Sequence, residues 1–168
     1  MMMFFKRWKK PSKKLELIKT VRVEASKGFK VSMYFRACIP NAPVYIGDVG
    51  GCFNEHLLLL SEGAYEASDI KVLRLLETST DAVVVAELAN KFEIKLGQFY
   101  SLLLKYSAGE RDLFLENGDA NVAYVRDGNG ILMSVRAYWL GCHHVWGIDA
   151  FPTEEMEVWN AGRRFFSR

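Results

Sequence analysis

Residues 68–79 read SDIKVLRLLETS, and whether that run is helix or strand decides the architecture of the whole chain. Ile70, Leu73 and Leu76 recur at threefold spacing, which aligns them on one helix face. Ser68 is a residue type that accepts hydrogen bonds from a helix's first free N–H groups. The run is read as the first of three helices. Asp81 opens a second over residues 82–92, with Val85, Leu88 and Phe92 in one stripe. Residues 95–106 form the third, with Phe99, Leu102, Leu103 and Tyr106 aligned.

On both sides of this block the apolar period falls to two. Val21, Val23 and Ala25, then Val31, Met33, Phe35, Ala37 and Ile39, flank a turn at Ser26-Lys27-Gly28 and predict a hairpin. Pro40, Asn41 and Pro43 end it, and residues 44–51, VYIGDVGG, read as a short strand entering a glycine turn. A second hairpin spans residues 121–140 around Asp127-Gly128-Asn129-Gly130, residues that tolerate positive φ. A further strand covers about Val145 to Phe151. Pro152, Thr153, Glu154 and Glu155 then start a last helix, with Gly162 as its stop and Arg163 and Arg164 at its negative end. The expected fold is α+β: an antiparallel sheet from two hairpin regions, a three-helix insertion and a C-terminal helix. Residues 1–14 form a basic flexible arm and residues 15–168 a single domain.

Half of the 168 residues are apolar, enough for a real core, and the longest uninterrupted leucine run is Leu57 to Leu60, far short of a membrane span. The opening MMMFFKRWKK places its basic residues after a very short apolar start, the reverse of a secretory signal. Three cysteines without CxxC spacing suit a reducing compartment, so the expected location is the cytoplasm. No motif calls for a cofactor. The net charge is +2, but residues 1–14 hold six Lys/Arg and no acid, and the last six residues add Arg163, Arg164 and Arg168. Between them 13 basic side chains face 20 acidic ones. An acidic body excludes a broad duplex-gripping face, and leaves any polyanion contact to the ends. Within the arm Lys6, Arg7, Trp8, Lys9 and Lys10 interleave cations with an aromatic ring, a pattern suited to an anionic membrane surface or a nucleic-acid backbone.

Residues 85–103, VAELANKFEIKLGQFYSLL, followed by a hairpin, are similar in outline to a winged helix-turn-helix over residues 68–139. Ala86 to Ala89 stand in the supporting helix, Phe92 and Ile94 around the turn, and Phe99 to Leu103 in the reading helix. The resemblance implies nucleic-acid binding, with Lys95, Gln98, Ser101 and Lys105 reaching base edges. Glu93 departs from the pattern, which prefers glycine in the turn.

A thiol-hydrolase reading starts at DVGGCFNEH, residues 48–56. A helix beginning near Cys52 would favour its thiolate, His143 or His144 on a later strand could act as base, and Asp149 could orient the imidazole. The order Cys, strand His, polar residue resembles that of papain-like peptidases and amidases. The same atoms allow a tetrahedral zinc reading: Cys52 and His56 on one helix face, Cys142 and His144 on one strand face. Packed inertness is the simpler account of Cys52. GDVGG, residues 47–51, lacks the lysine and hydroxyl of a phosphate loop and reads as a turn. In GCHHVWGID, residues 141–149, a strand would turn Trp146 and Ile148 inward.

The functional expectation is a non-catalytic binding protein acting through a macromolecular partner, foremost a protein, with nucleic acid or a peripheral membrane surface reached through the basic ends. Arg163 and Arg164 join the arm as binding residues, and Trp8, Trp139, Trp159, Phe165 and Phe166 are candidate contacts where exposed.

Overall fold

A computed structural model of the chain describes residues 12–155 and 157–168. Eleven strands and three α-helices are found among them: β1 Leu15–Val23, β2 Phe29–Lys30, β3 Ile46–Val49, α1 Gly51–His56, β4 Ser61–Glu62, β5 Ser68–Leu75, β6 Ser79–Thr80, α2 Asp81–Leu88, α3 Leu96–Ser107, β7 Asn121–Arg126, β8 Leu132–Leu140, β9 Val145–Pro152, β10 Val158–Trp159 and β11 Arg164–Ser167. Seven of the strands form one sheet in the order β1-β5-β11-β7-β8-β9-β3. It is mixed: β11 runs parallel to β7 and β3 parallel to β9, the other pairs being antiparallel.

This corrects the expected antiparallel sheet, since two of its pairings are parallel, and it corrects the expected elements in three places. Residues 68–75 are the strand β5 rather than a first helix, so two α-helices, not three, lie in the chain between β5 and β7. The physical cause is burial on both faces: Ile70 and Val72 enter one core, Leu73 and Leu75 the other. A doubly buried strand loses its period-two signature, and its apolar residues then mimic helical spacing. The hairpin expected at residues 21–39 does not form, because β1 ends at Val23 and pairs with β5, while β2 is two residues long and pairs with β4. The C-terminal helix is also absent. Thr153–Glu155 make one 3-10 turn, Val158–Trp159 pair with Ser79–Thr80, Gly162 turns the chain at φ +93°, and Arg164–Ser167 insert as a central strand. Phe165 and Phe166 alternate to opposite faces of the sheet there, each side chain contributing about 1.5–3 kcal/mol of burial.

Several expectations hold. The hairpin of β7 and β8 closes through Asp127 to Gly130, with Gly130 at φ +82°. β9 turns Trp146 and Ile148 inward, and α3 buries Phe99, Leu102, Leu103 and Tyr106. The two long helices nevertheless do not form a helix-turn-helix. α3 packs with Val72, Ala123, Val135 and Phe166 on one face of the sheet. α2 packs with Leu73, Val122, Tyr124 and Phe165 on the other. The strand order, not the turn between the helices, decides which face each covers.

α3 is seated by charge as well as by its apolar stripe. Glu62 of β4 accepts hydrogen bonds from the N–H groups of Leu96 (2.7 Å) and Gly97 (2.9 Å), satisfying donors that a helix start leaves free. Gly97 is needed at that start because a Cβ there would lie 2.7 Å from Tyr65 Oη and 2.9 Å from Phe29 Cγ.

Candidate functional site

α2 and Trp159 cover the second face of the sheet over β1, β5, β11 and β7. Over β8, β9 and β3 the same face carries polar side chains. Alternation sends Met133, Val135, Ala137, Trp146 and Ile148 toward the α3 core, and so points Arg136, Tyr138, Asp149 and Phe151 the other way. Register then lines them up: Arg136 lies directly across from Asp149, and Tyr138 across from Gly147, which in turn pairs with Asp48. Together with Glu157, Asn160 and Arg163 several of these side chains bound an open cleft of about 330 Å³.

The cleft is organised around Arg136, whose side chain is 24% exposed. Its Nη1 donates to Glu157 Oε1 at 3.0 Å, its Nη2 lies 3.7 Å from Asp149 Oδ2, and its guanidinium stacks 4.2 Å over the Phe151 ring. Asp149 is held in turn by the N–H of Ala150, which donates to Oδ1 at 2.8 Å. Gly50 leaves room for that carboxylate, since a Cβ there would be 2.2 Å from Asp149 Oδ1. Gly147 likewise admits Tyr138: a Cβ would meet the ring at 2.4 Å, so the phenol lies across the bare backbone of β9. Burial, then the Asp48 and Asp149 carboxylates, push the Tyr138 phenol up. At the rim Arg163 is closed on Asp119 at 2.5 Å.

The residues singled out from sequence fall elsewhere or in other roles. Lys6, Arg7, Trp8, Lys9 and Lys10 lie outside the described residues. Lys95 is exposed just before α3, but Gln98 is buried, donating to Ser68 Oγ at 2.8 Å and accepting from the N–H of Lys95 at 2.8 Å. Arg163 is ion-paired, and Arg164 is half-buried opposite Arg74, with Nε and Nη1 lacking partners among the described residues. Burial and the Arg74 charge pull the Arg164 guanidinium down. Trp159, Phe165 and Phe166 are core, and Trp139 is partly buried against Trp146 at 5.0 Å. Of the expected contacts, those at the C-terminal end hold the sheet together.

Cys52 opens α1, as expected, but burial and then the Asp149, Glu155 and Glu55 carboxylates push its thiol up, opposite to what a nucleophile requires. The N–H of Gly50 donates to Ile148 O, which fixes the start of α1 beside the middle of β9. Cys142, His143 and His144 occupy the exposed turn before β9 begins. Ile148, beside which α1 starts, lies four residues beyond His144, a rise of about 13 Å in an extended strand. The structure therefore brings Asp149, but not His143 or His144, toward Cys52. His56 pairs instead with Asp127, Nδ1 to Oδ2 at 3.1 Å, tying α1 to the β7–β8 turn. Among the described residues no group of three or more His, Cys, Asp or Glu side chains is placed to hold a metal ion. No helix among them is long and apolar enough to cross a membrane.

Arg136, Tyr138, Asp48 and Glu157 escaped the sequence reading. One signal was present: between Met133 and Trp139 the even-numbered residues are Ser134, Arg136 and Tyr138 while the odd-numbered ones are apolar, the mark of a strand with one apolar and one polar face. No family model, curated protein or solved structure matches this chain.

Proposed function

We propose that the chain is a non-catalytic binding protein that engages a protein partner through the polar half-face of β8 and β9. The observation that carries this reading is the fixed polar arrangement there: Arg136 held between Glu157 and Asp149, with Tyr138 laid across Gly147. Such side chains are locked by one another before any partner arrives, which lowers the ordering cost of association. Tyrosine and arginine are also the residue types that dominate interface energetics. The acidic body and the pairing of Arg163 move the contact away from the C-terminal end and onto the sheet. The cytoplasm fits the free thiols, since Cys38 and Cys142 are exposed and unbridged.

A photo-crosslinking residue at position 138, with position 83 on α2 as control, tests the reading in cells that express the protein. A partner identified by mass spectrometry from position 138 alone, whose purified form binds the chain and loses at least about tenfold in affinity on Tyr138→Ala, supports it. Equal adducts from both positions, or a partner indifferent to Tyr138→Ala, sinks it.

A further inference from the structure

The last turn of α2 and the turn that follows it hold the chain near both of its ends. Glu87 accepts from the N–H groups of Lys14 at 2.8 Å and Leu15 at 3.0 Å, so each of its oxygens is taken up by backbone. Lys91 O accepts from the N–H of Arg168 at 2.9 Å. An open cleft of about 370 Å³ is bordered by both anchor points. Its apolar lining is Leu15, Leu17, Leu73 and Leu88. Its charged lining is Lys13, Lys71, Lys91 and Arg168 against Glu87 alone. None of these four cations is ion-paired among the described residues. With Arg168 left out of the count, three lysines still face one carboxylate. The nearby Glu77 is closed on Lys14.

Lys13 and Glu87 also border the outward side of α2, where Ala82, Val83 and Ala86 are exposed. Val83 is 43% exposed and Leu17 is 49% exposed. Bare aliphatic side chains therefore stand beside cations that no acid of the chain neutralises. The segment that joins the domain at Ser12 adds Lys6, Arg7, Lys9 and Lys10, and no acid, over residues 1–11. We infer that this side of the molecule docks on an anionic lipid surface, the lysines meeting charged headgroups while Leu17 and Val83 enter the apolar boundary beneath. Each lysine near such a surface strengthens binding about fivefold, and aliphatic insertion supplies the second attraction that stable peripheral binding needs. The long lysine stems suit that boundary, because they lie along apolar surface while the ammonium stays in water. Nucleic acid is a poorer complement: among the described residues no aromatic ring lines either the cleft or the outward side of α2 to stack a base.

The test is sedimentation of the intact chain with vesicles of phosphatidylcholine alone, or of equal parts phosphatidylcholine and phosphatidylserine. The expected result is binding to the serine-containing vesicles only, weakening as salt is added. Lys71→Gln combined with Lys91→Gln lowers that affinity at least about tenfold, although residues 1–11 are unaltered. The same neutralisation at Lys27 and Lys30, beyond the opposite end of β1, changes it by less than about twofold. Val83→Gln lowers it by about threefold or more. The comparison of the two vesicle types uses the unaltered protein, so it stands whatever the variants do to folding. Equal binding to both vesicle types, or binding to neither, overturns the inference. Undiminished binding in the Lys71 and Lys91 variant, or an equal loss from the Lys27 and Lys30 control, overturns the placement of the contact at this cleft. Binding of an oligonucleotide that depends on Lys71 and Lys91, without binding to vesicles, overturns the lipid assignment in favour of nucleic acid.

Discussion

Asp81 and Tyr124 meet in a buried contact between α2 and the sheet, the phenol donating to Asp81 Oδ1 at 2.6 Å with both residues fully buried. Trp159 Nε1 donates to the same oxygen at 2.7 Å, and Oδ2 has no partner among the described residues. One carboxylate thus joins β7, α2 and β10. Burial pushes the Asp81 carboxyl above the ordinary carboxylate range, against the pull of the Tyr124 and Trp159 hydrogen bonds. A raised folded-state pKa contributes stability that is whole below the unfolded value, about pH 3.9, and is lost as pH rises through the folded value. Asp81→Asn keeps an acceptor for both donors and cannot ionise. Its stability relative to the parent is expected to improve as pH rises from about 4 to 7, read by urea denaturation across that range. A difference independent of pH contradicts this account. Asp81→Ala leaves both donors buried and unpaired, at a cost of about 1–3 kcal/mol each.

Tyr138 and Gly147 form a matched pair across β8 and β9. Gly147→Ala is expected to displace the ring and lower stability by about 1–3 kcal/mol, the usual penalty of an inserted methyl group without room. In a Tyr138→Ala background the obstruction is gone, so the same substitution becomes close to neutral. A double-mutant cycle by thermal denaturation measures this, and additive effects reject the pairing.

Removing the Glu62 carboxylate frees two N–H groups at the start of α3. Glu62→Ala is expected to cost about 2 kcal/mol, or a fall of about 4–8 °C in Tm, with Glu62→Gln intermediate because it keeps one acceptor. Hydrogen exchange at Leu96 and Gly97 should quicken in Glu62→Ala. Unchanged exchange at both amides argues that Glu62 does not seat the helix.

Asp127 titrates in the opposite sense to Asp81. Burial raises its carboxyl, but the N–H of Ile131, the His56 ring and the N–H of Asn129 together hold it below the ordinary range. A depressed pKa contributes stability that is present above about pH 3.9 and lost as pH falls through the folded value. Asp127→Asn is therefore expected to be less stable than the parent at neutral pH, with the gap closing in acid. A constant gap down to about pH 2 refutes the charge pairing with His56.

What could be read from the chain followed the number of faces an element buries. The hairpin of β7 and β8 was legible because Asp127-Gly128-Asn129-Gly130 is a turn in any context. α3 was legible because one stripe is apolar and the rest is not. β5 was not, since Ile70 and Val72 serve one core and Leu73 and Leu75 the other, erasing the alternation that marks a strand. β11 was not, being four residues long and beginning with arginine. Placement on one face or the other is a property of strand order, which no local period encodes, so the winged-helix outline survived in sequence and dissolved in three dimensions. For the site, Asp149 was singled out, yet its partner is the cross-strand Arg136 rather than a histidine. Arg136 and Tyr138 drew no notice because single polar residues on a strand are ordinary until the sheet places them side by side on one face.

Insertion of β11 between β5 and β7 has a biosynthetic consequence. Ten strands leave the ribosome before it, and until Arg164–Ser167 emerge the β1–β5 ribbon and the β7–β8–β9 block each present a bare hydrogen-bonding edge to the cell. Such edges recruit other chains. A chain lacking Arg164–Ser167 would leave the β1–β5 ribbon and the β7–β8–β9–β3 block as two unjoined half-sheets, suited to chaperone capture and proteolysis.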